Sequence, residues 1–385
     1  MALRLAPEWR LSLAGFAAMA AAMGIGRFVY TPILPVMVEA LGMSKAAAGL
    51  VASANFLGYL LGALAAANPR LGGSRRGWLL WALVASALST GAMGLVGPMA
   101  PFLLLRFLGG AASAFVLVFA SSLVLDRLAA AGRSALSAVH FAGVGFGIAI
   151  AAVLVSASLA LGADWQALWL VNAAAALAAA LLVALLLPIG PEPTMPRGAN
   201  DRESARGLGA LVAAYGLFGF GYVVTATFIV AIVRTSPAIA PLEPIVWTIV
   251  GMSAIPSVAL WGRVGRRIGV ARGFALAAIV QAVGVAASVL WATPLAMLAA
   301  ALLLGGTFMG MTALGLVGAR RLARGDPRRM FAVMTASFGL GQILGPSFAG
   351  FAHDLTGSFL MPSIAAALAL VVAALLAMGV RLPPD

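Results

Sequence analysis

A chain of 385 residues that is 63% hydrophobic and 9% charged cannot cover a water-facing surface, so lipid is the solvent for most of it. A formal net charge of +13 would suggest nucleic acid in a water-soluble protein, but here the basic residues fall in short turns between apolar runs and act as topology determinants. No Cys and two His exclude a disulfide framework and a thiolate metal site, so no metal or cofactor is expected.

Crossing about 30 Å of hydrocarbon takes some 20 residues at 1.5 Å each. Twelve segments qualify, at 11–38, 45–67, 77–97, 101–125, 134–160, 165–187, 207–234, 243–262, 273–293, 295–319, 330–353 and 358–380. Arg4 and Arg10 precede the first run, which is too long for a signal peptide and reads as a membrane helix. Pro32, Pro35, Pro256 and Pro346 lie inside spans and predict kinks. Trp247 and Trp291 are expected as anchors at the membrane surface.

The turn charges support this count. With the N-terminus in the cytoplasm, 20 of the 24 basic residues fall on the cytoplasmic side. Lys45 and Arg234 fall outside, and Arg27 and Arg106 lie within spans. Such a split is what the positive-inside rule requires, and it places both termini in the cytoplasm.

Residues 188–206 (PIGPEPTMPRGANDRESAR) form the one long polar stretch, a linker between halves at 1–187 and 207–385. The halves echo one another. Gly24-x-Gly26 returns as Gly219-x-Gly221, Gly109-Gly110 as Gly305-Gly306, and Arg133 with Gly143-x-Gly145 as Arg329 with Gly339-x-Gly341. A parallel repeat of six helices about an axis along the membrane normal is a transporter architecture. The expected fold is an all-α membrane protein of twelve transmembrane helices in two pseudo-symmetric six-helix bundles.

The chain resembles the major facilitator superfamily over nearly its full length. WGRVGRRIG at 261–269 is similar to the family's glycine-and-arginine loop, which marks Arg263, Gly265, Arg266 and Arg267 as its inner-loop motif. NPRLGGSRR at 68–76 is a degenerate copy, and neither carries the Asp usual there. RFLGGAASA at 106–114 matches the helix-4 arginine pattern. FAGVGFGIA at 141–149 resembles the glycine-rich helix-5 motif of antiporters without its proline, and FGLGQILGP at 338–346 carries that pattern more fully. GIGRFVYTPILP at 24–35 also resembles the YbfB/YjiJ branch. The resemblance implies transport by alternating access, with a small-molecule substrate as the partner, protons as a candidate coupling ion, and a monomer in the inner membrane of a bacterium.

An ionisable residue within a span is a functional candidate, because burying it costs several kcal/mol. Arg27, Arg106 and His140 qualify, whereas Glu39, Asp164, Glu243 and Asp354 fall at span ends. Cation antiport generally needs a buried carboxylate, so buried guanidinium groups without one favour an anionic cargo. Arg27 either contacts that cargo or caps backbone carbonyls opened by the proline kink. Arg106 belongs to gating and coupling or to structure, and His140 either carries protons or joins helices by a neutral hydrogen bond. Tyr30 and Thr31 follow Arg27 by three and four positions and share its helical face. Asn55 and Tyr59 repeat that spacing, Tyr222 and Thr225 occupy the matching place in helix 7, and Gln342 follows the helix-11 glycines. These form the expected cavity lining. The rival functions are efflux of neutral or hydrophobic compounds and, from another class, a transport-like sensor or scaffold. No nucleophile–His–acid set or phosphate loop points to an enzyme.

Overall fold

The computed structural model describes residues 6–68, 70–97, 99–187, 207–322 and 327–380. The linker 188–206 lies outside them. Twelve successive helical passes run through the described residues: α1 Pro7–Leu41, α2 Lys45–Ala66, α3 Arg75–Ala92, α4 Met99–Ala130, α5 Ser134–Ala160, α6 Trp165–Leu186, α7 Leu208–Val233, α8 Ala240–Ala254 with Ser257–Ile268, α9 Val270–Leu290, α10 Pro294–Leu322, α11 Pro327–Thr356 and α12 Leu360–Met378. Among the described residues nine of these are separately long and apolar enough to cross a membrane, and the bent α8 pair makes ten. The other two, α3 and α11, carry basic residues at one end or polar residues along their length.

Local chemistry sets the ends. Ser44, Ser74 and Asp164 cap α2, α3 and α6 by accepting the backbone N–H of Ala47, Gly77 and Ala167 at 3.1, 3.0 and 2.8 Å. Pro256 sits at a 45° bend in α8. Between α8 and α9, Gly269 takes φ +92°, a conformation closed to L side chains without strain. The predicted loop 261–269 is therefore mostly helix. Trp261 to Ile268 extend α8 past its expected end at residue 262, and only Gly269 turns.

Packing repeats with the sequence echo. α2 lies against α4 as α8 lies against α10, α1 against α5 as α7 against α11, and α3 against α6 as α9 against α12. Lipid tails supply no hydrophobic force between helices, so close backbone approach through small residues carries much of this association. The halves meet through α2 with α11, α5 with α8, and α1 with α7. At the α5–α8 crossing a Cβ on Gly145 would lie 2.6 Å from the Gly251 carbonyl oxygen, so only glycine permits the approach. Ser53 reinforces the α2–α11 contact, donating to the Ile343 carbonyl at 2.6 Å and pairing with Ser347 at 2.8 Å.

Two faces of the bundle differ in charge. One carries the arginine-rich turns. There Arg75 pairs with Asp126 of α4 at 3.3 Å, so a neighbouring helix supplies a carboxylate that the loop sequence lacks. The far face carries a set of contacts between the halves. Arg234 bridges Glu39 of the first half at 3.1 Å and Glu243 of the second at 2.6 Å. Asp354, at the end of α11, accepts the N–H groups of Lys45 and Ala46 at 3.1 and 2.9 Å, and so caps α2 of the opposite half.

Trp247 corrects an expectation. It is 2% exposed and packs 6.5 Å from the Phe28 ring in the interior, because this turn of α8 faces α1 and α5 rather than lipid. Trp291, at 57% exposed, stays at the surface.

Candidate functional site

The site grows from a break in α1. Pro7–Met19 is α-helical, Ala20–Arg27 widens into a π-helix, and α-helix resumes at Tyr30. π-turns of this kind misalign the backbone ladder and leave carbonyls needing other partners. Arg106 of α4 meets that need. Its Nη1 donates to the Gly26 carbonyl at 3.1 Å and its Nη2 to the Arg27 carbonyl at 2.9 Å. The Arg106 guanidinium also lies 5.1 Å from the Tyr30 ring and 5.9 Å from Trp169. Backbone capping, expected as an alternative for Arg27, falls to Arg106.

Arg27 is thereby left to face the other half. It is 3% exposed, and its Nη2 donates to Gln342 Oε1 of α11 at 2.8 Å. Arginine can only donate, so the amide oxygen of Gln342 must face it and the amide NH2 must face away. That NH2 donates to the Tyr222 hydroxyl of α7. Tyr222 lies almost parallel between Phe308, at 5.7 Å and 8°, and Phe338, at 5.8 Å and 6°. On its first-half side the guanidinium sits 3.9 Å from the centre of the Tyr59 ring and 4.8 Å from Phe56. The Nε–H of Arg27 has no partner among the described residues. Arg27 also borders a void of about 10 Å³, room for one water, that it shares with Tyr30, Thr31, Phe56, Arg106 and Thr227.

The structure brings Arg27, Tyr59, Tyr222 and Gln342 into one cluster, and Tyr30 and Thr31 meet Arg27 only around the small void. Tyr30 points to α2, where its hydroxyl donates to the Ala48 carbonyl at 2.9 Å, and its ring stacks on Trp169 at 6.2 Å. Thr31 bridges the halves, donating to the Ala226 carbonyl of α7 at 2.8 Å. Their hydroxyls turn away from Arg27, while both residues still line the void beside it. Asn55 braces α4 by donating to the Arg106 carbonyl at 2.9 Å. Thr225 is fully buried, with its hydroxyl unpartnered among the described residues. His140 lies apart, between Gly15 of α1 and Ser121 of α4, with Ser121 Oγ 3.2 Å from Nε2. Arg263, Gly265, Arg266 and Arg267 lie on the last turns of α8 at the basic face, where Gly265 packs against Gly273.

Sequence reasoning missed the aromatic part of the cluster. Phe28, Phe56, Phe308 and Phe338 are ordinary residues for a membrane span, and no local signal separates them from lipid-facing ones. The 195-residue echo could have found the Thr31–Ala226 contact, since these two positions correspond in the repeat.

A sequence-family model described as "Uncharacterised MFS-type transporter YbfB" matches residues 19–378. No curated protein sequence matches the chain. In fold it is similar to the nucleoside transporter NupG, with a TM-score of 0.69 and 17% identity over 97% of this chain and 98% of that one. A mutant of NupG gives a TM-score of 0.75 at 16% identity, covering 97% and 99%. A bacterial homologue of the human lysosomal transporter Spinster, in an inward-facing and occupied conformation, gives 0.69 at 16% identity, covering 97% of both chains. At these identities the likeness concerns the fold alone.

Proposed function

We propose, for a chain that belongs to the YbfB-type family of major facilitator superfamily transporters, that its central cluster carries a small organic anion or an acidic amphipathic compound across the bacterial inner membrane by alternating access. The observation that carries this reading is Arg27: a buried guanidinium that no carboxylate neutralises among the described residues, with one donor held by Gln342 and its neighbour unpartnered. A desolvated cation with an unfilled donor is a strong attractor for carboxylate, sulfonate or phosphate. In this reading the bodies at 1–187 and 207–385 rock about the cluster, with both termini cytoplasmic and 188–206 as the tether.

The ring stack of Tyr222, Phe308 and Phe338 favours a second reading, transport of a neutral ring compound. NupG, a fold neighbour, is a nucleoside transporter. Such a cargo would use the stack and the Gln342 amide and would not need the charge of Arg27.

One experiment separates the two. Purified protein is screened by thermal shift against small carboxylates, sulfonates and nucleosides, since a ligand that binds only the folded state raises its melting point. Anion-induced shifts that vanish in Arg27→Gln support the anion reading. Equal anion shifts in wild type and Arg27→Gln would refute it, and shifts only with nucleosides would favour the second.

A further inference from the structure

We infer that Gln342 is an internal stand-in for the cargo's acid group: its amide oxygen occupies one half of the Arg27 donor fork, and a bound carboxylate displaces it and takes both halves. This rests on the reading of Arg27 as the anion contact and adds which residue competes for it and what the competition does.

The geometry is specific. The Nε–H and one Nη2–H of a guanidinium point along the same edge and match the two oxygens of a carboxylate. On Arg27 that edge is half filled, with Nη2 donating to Gln342 at 2.8 Å and Nε unpartnered among the described residues. The amide oxygen of Gln342 takes only one of the two donors here, whereas a carboxylate offers a separate oxygen to each. The rings of Tyr59 and Phe56 lie 3.9 and 4.8 Å from the guanidinium carbon, and a carboxylate pairs with a guanidinium along its edge rather than through its plane. The small void that Arg27 shares with Tyr30, Thr31 and Arg106 holds about one water and is not lined by Gln342, so it cannot take the cargo, and an acid group that reaches the fork must displace something. Among the described residues Gln342 is the polar side chain bonded to that edge, and its outward rotation would also release Tyr222.

Displacement has a mechanical consequence. Arg27 belongs to the first half, and Gln342 and Tyr222 to the second, so their chain of bonds ties the halves together at mid-bundle. A carboxylate that takes the fork exchanges that tie for a bond to itself. Binding and release of the halves are then one event, and Gln342 sets both the affinity and the coupling. The ring stack next to Gln342 favours an acid group borne on a flat apolar body.

Benzoate, with neutral benzamide as control, is the probe. Melting-point titrations are run on wild type, Gln342→Ala, Gln342→Glu, Arg27→Gln and Arg27→Lys. Removing the competitor in Gln342→Ala should lower the benzoate concentration giving a half-maximal shift by roughly tenfold. Gln342→Glu places a carboxylate on the fork permanently and should abolish the benzoate response while raising the melting point of the empty protein. Arg27→Lys keeps the charge without the fork and should weaken benzoate even where Arg27→Gln fails to fold. Benzoate binding that needs Arg27 but is unchanged in Gln342→Ala, or that survives in Gln342→Glu, overturns this inference and leaves the anion site standing. Binding that ignores Arg27, or no benzoate response in any variant, overturns both.

Discussion

Replacing Arg106 with lysine distinguishes a backbone brace from a second anion contact. The substitution keeps the positive charge and most of the stem but loses the planar fork. Wild-type Arg106 holds two carbonyls, those of Gly26 and Arg27, at 3.1 and 2.9 Å, and an ammonium at the same place reaches one of them well. One hydrogen bond from a charged donor to a buried acceptor is lost, worth about 1.5–3 kcal/mol. Arg106 is 4% exposed, so water does not replace the missing donor. With a loss near 2 kcal/mol, a chain of this length should melt about 2–4 °C lower. The assay is thermal unfolding in detergent beside a benzoate titration of the same samples. A brace predicts a lower melting point with benzoate affinity changed less than threefold or so, because the fork of Arg27 is intact. An unchanged melting point with benzoate binding lost would refute the assignment and make Arg106 the anion contact.

Three further outcomes follow from the same contacts. Burial would raise the Asp354 carboxyl, but the N–H of Ala46, the hydroxyl of Ser44, the N–H of Lys45 and the His353 ring outweigh it and hold the group below the usual carboxylate range. A lowered value means that the clasp is fully present above the ordinary carboxylate pKa of about 3.9 and is lost as pH falls through the lowered one. Labelling of a cysteine placed on the far face of this cysteine-free chain, divided by the rate for the same cysteine in the unfolded chain at each pH to remove the thiolate's own titration, should therefore be flat from about pH 5 to 8, whereas Asp354→Asn should raise it about fivefold, for a partly exposed clasp worth about 1 kcal/mol after screening; a step near neutral pH in that ratio would contradict this. In Gly145→Val the new Cβ meets the Gly251 carbonyl at 2.6 Å, so α5 and α8 must part, with a stability loss of about 1–3 kcal/mol in unfolding experiments. His140→Gln should leave the pH profile of transport in proteoliposomes unchanged, since the ring contacts Ser121, Phe141 and Gly15 and no charged group among the described residues.

Much of this architecture is legible from residue type because the bilayer restricts what a span can be. Apolar length, serine and aspartate caps, and turn arginines each report a local requirement, and the helices fall where those signals place them to within a few residues. The exceptions have local causes too. α8 runs to Ile268 because arginine and glycine alternate on an amphipathic last turn rather than ending the helix. Arg27 stood out because an ionisable residue inside an apolar run is visible in the sequence whatever surrounds it in space. The direction of the Tyr30 hydroxyl did not, because spacing places a side chain on a face but does not show that its tip finds a backbone carbonyl on the next helix. The aromatic stack was illegible for a different reason. A phenylalanine facing Tyr222 and one facing lipid look alike in sequence, and only tertiary packing tells them apart.

Two arginines buried within a few ångströms of the same backbone turn, with no carboxylate among the described residues to balance them, pose an electrostatic problem that the fold answers in two ways. Arg106 directs both Nη groups to carbonyls and lies against Tyr30 and Trp169, so its charge is held by peptide dipoles and ring faces. Arg27 has the rings of Tyr59 and Phe56 and, on its Nη2, the Gln342 amide oxygen. Ring faces attract a guanidinium through the plane, whereas a carboxylate binds along the edge, so the two kinds of partner do not compete. The aromatic residues therefore make the buried cation tolerable in the empty protein without using the atoms an anion needs. A buried carboxylate in their place would have stabilised the charge more and closed the edge. In the proposed reading, their presence, together with the absence of such an acid among the described residues, leaves the edge of Arg27 open to an anion.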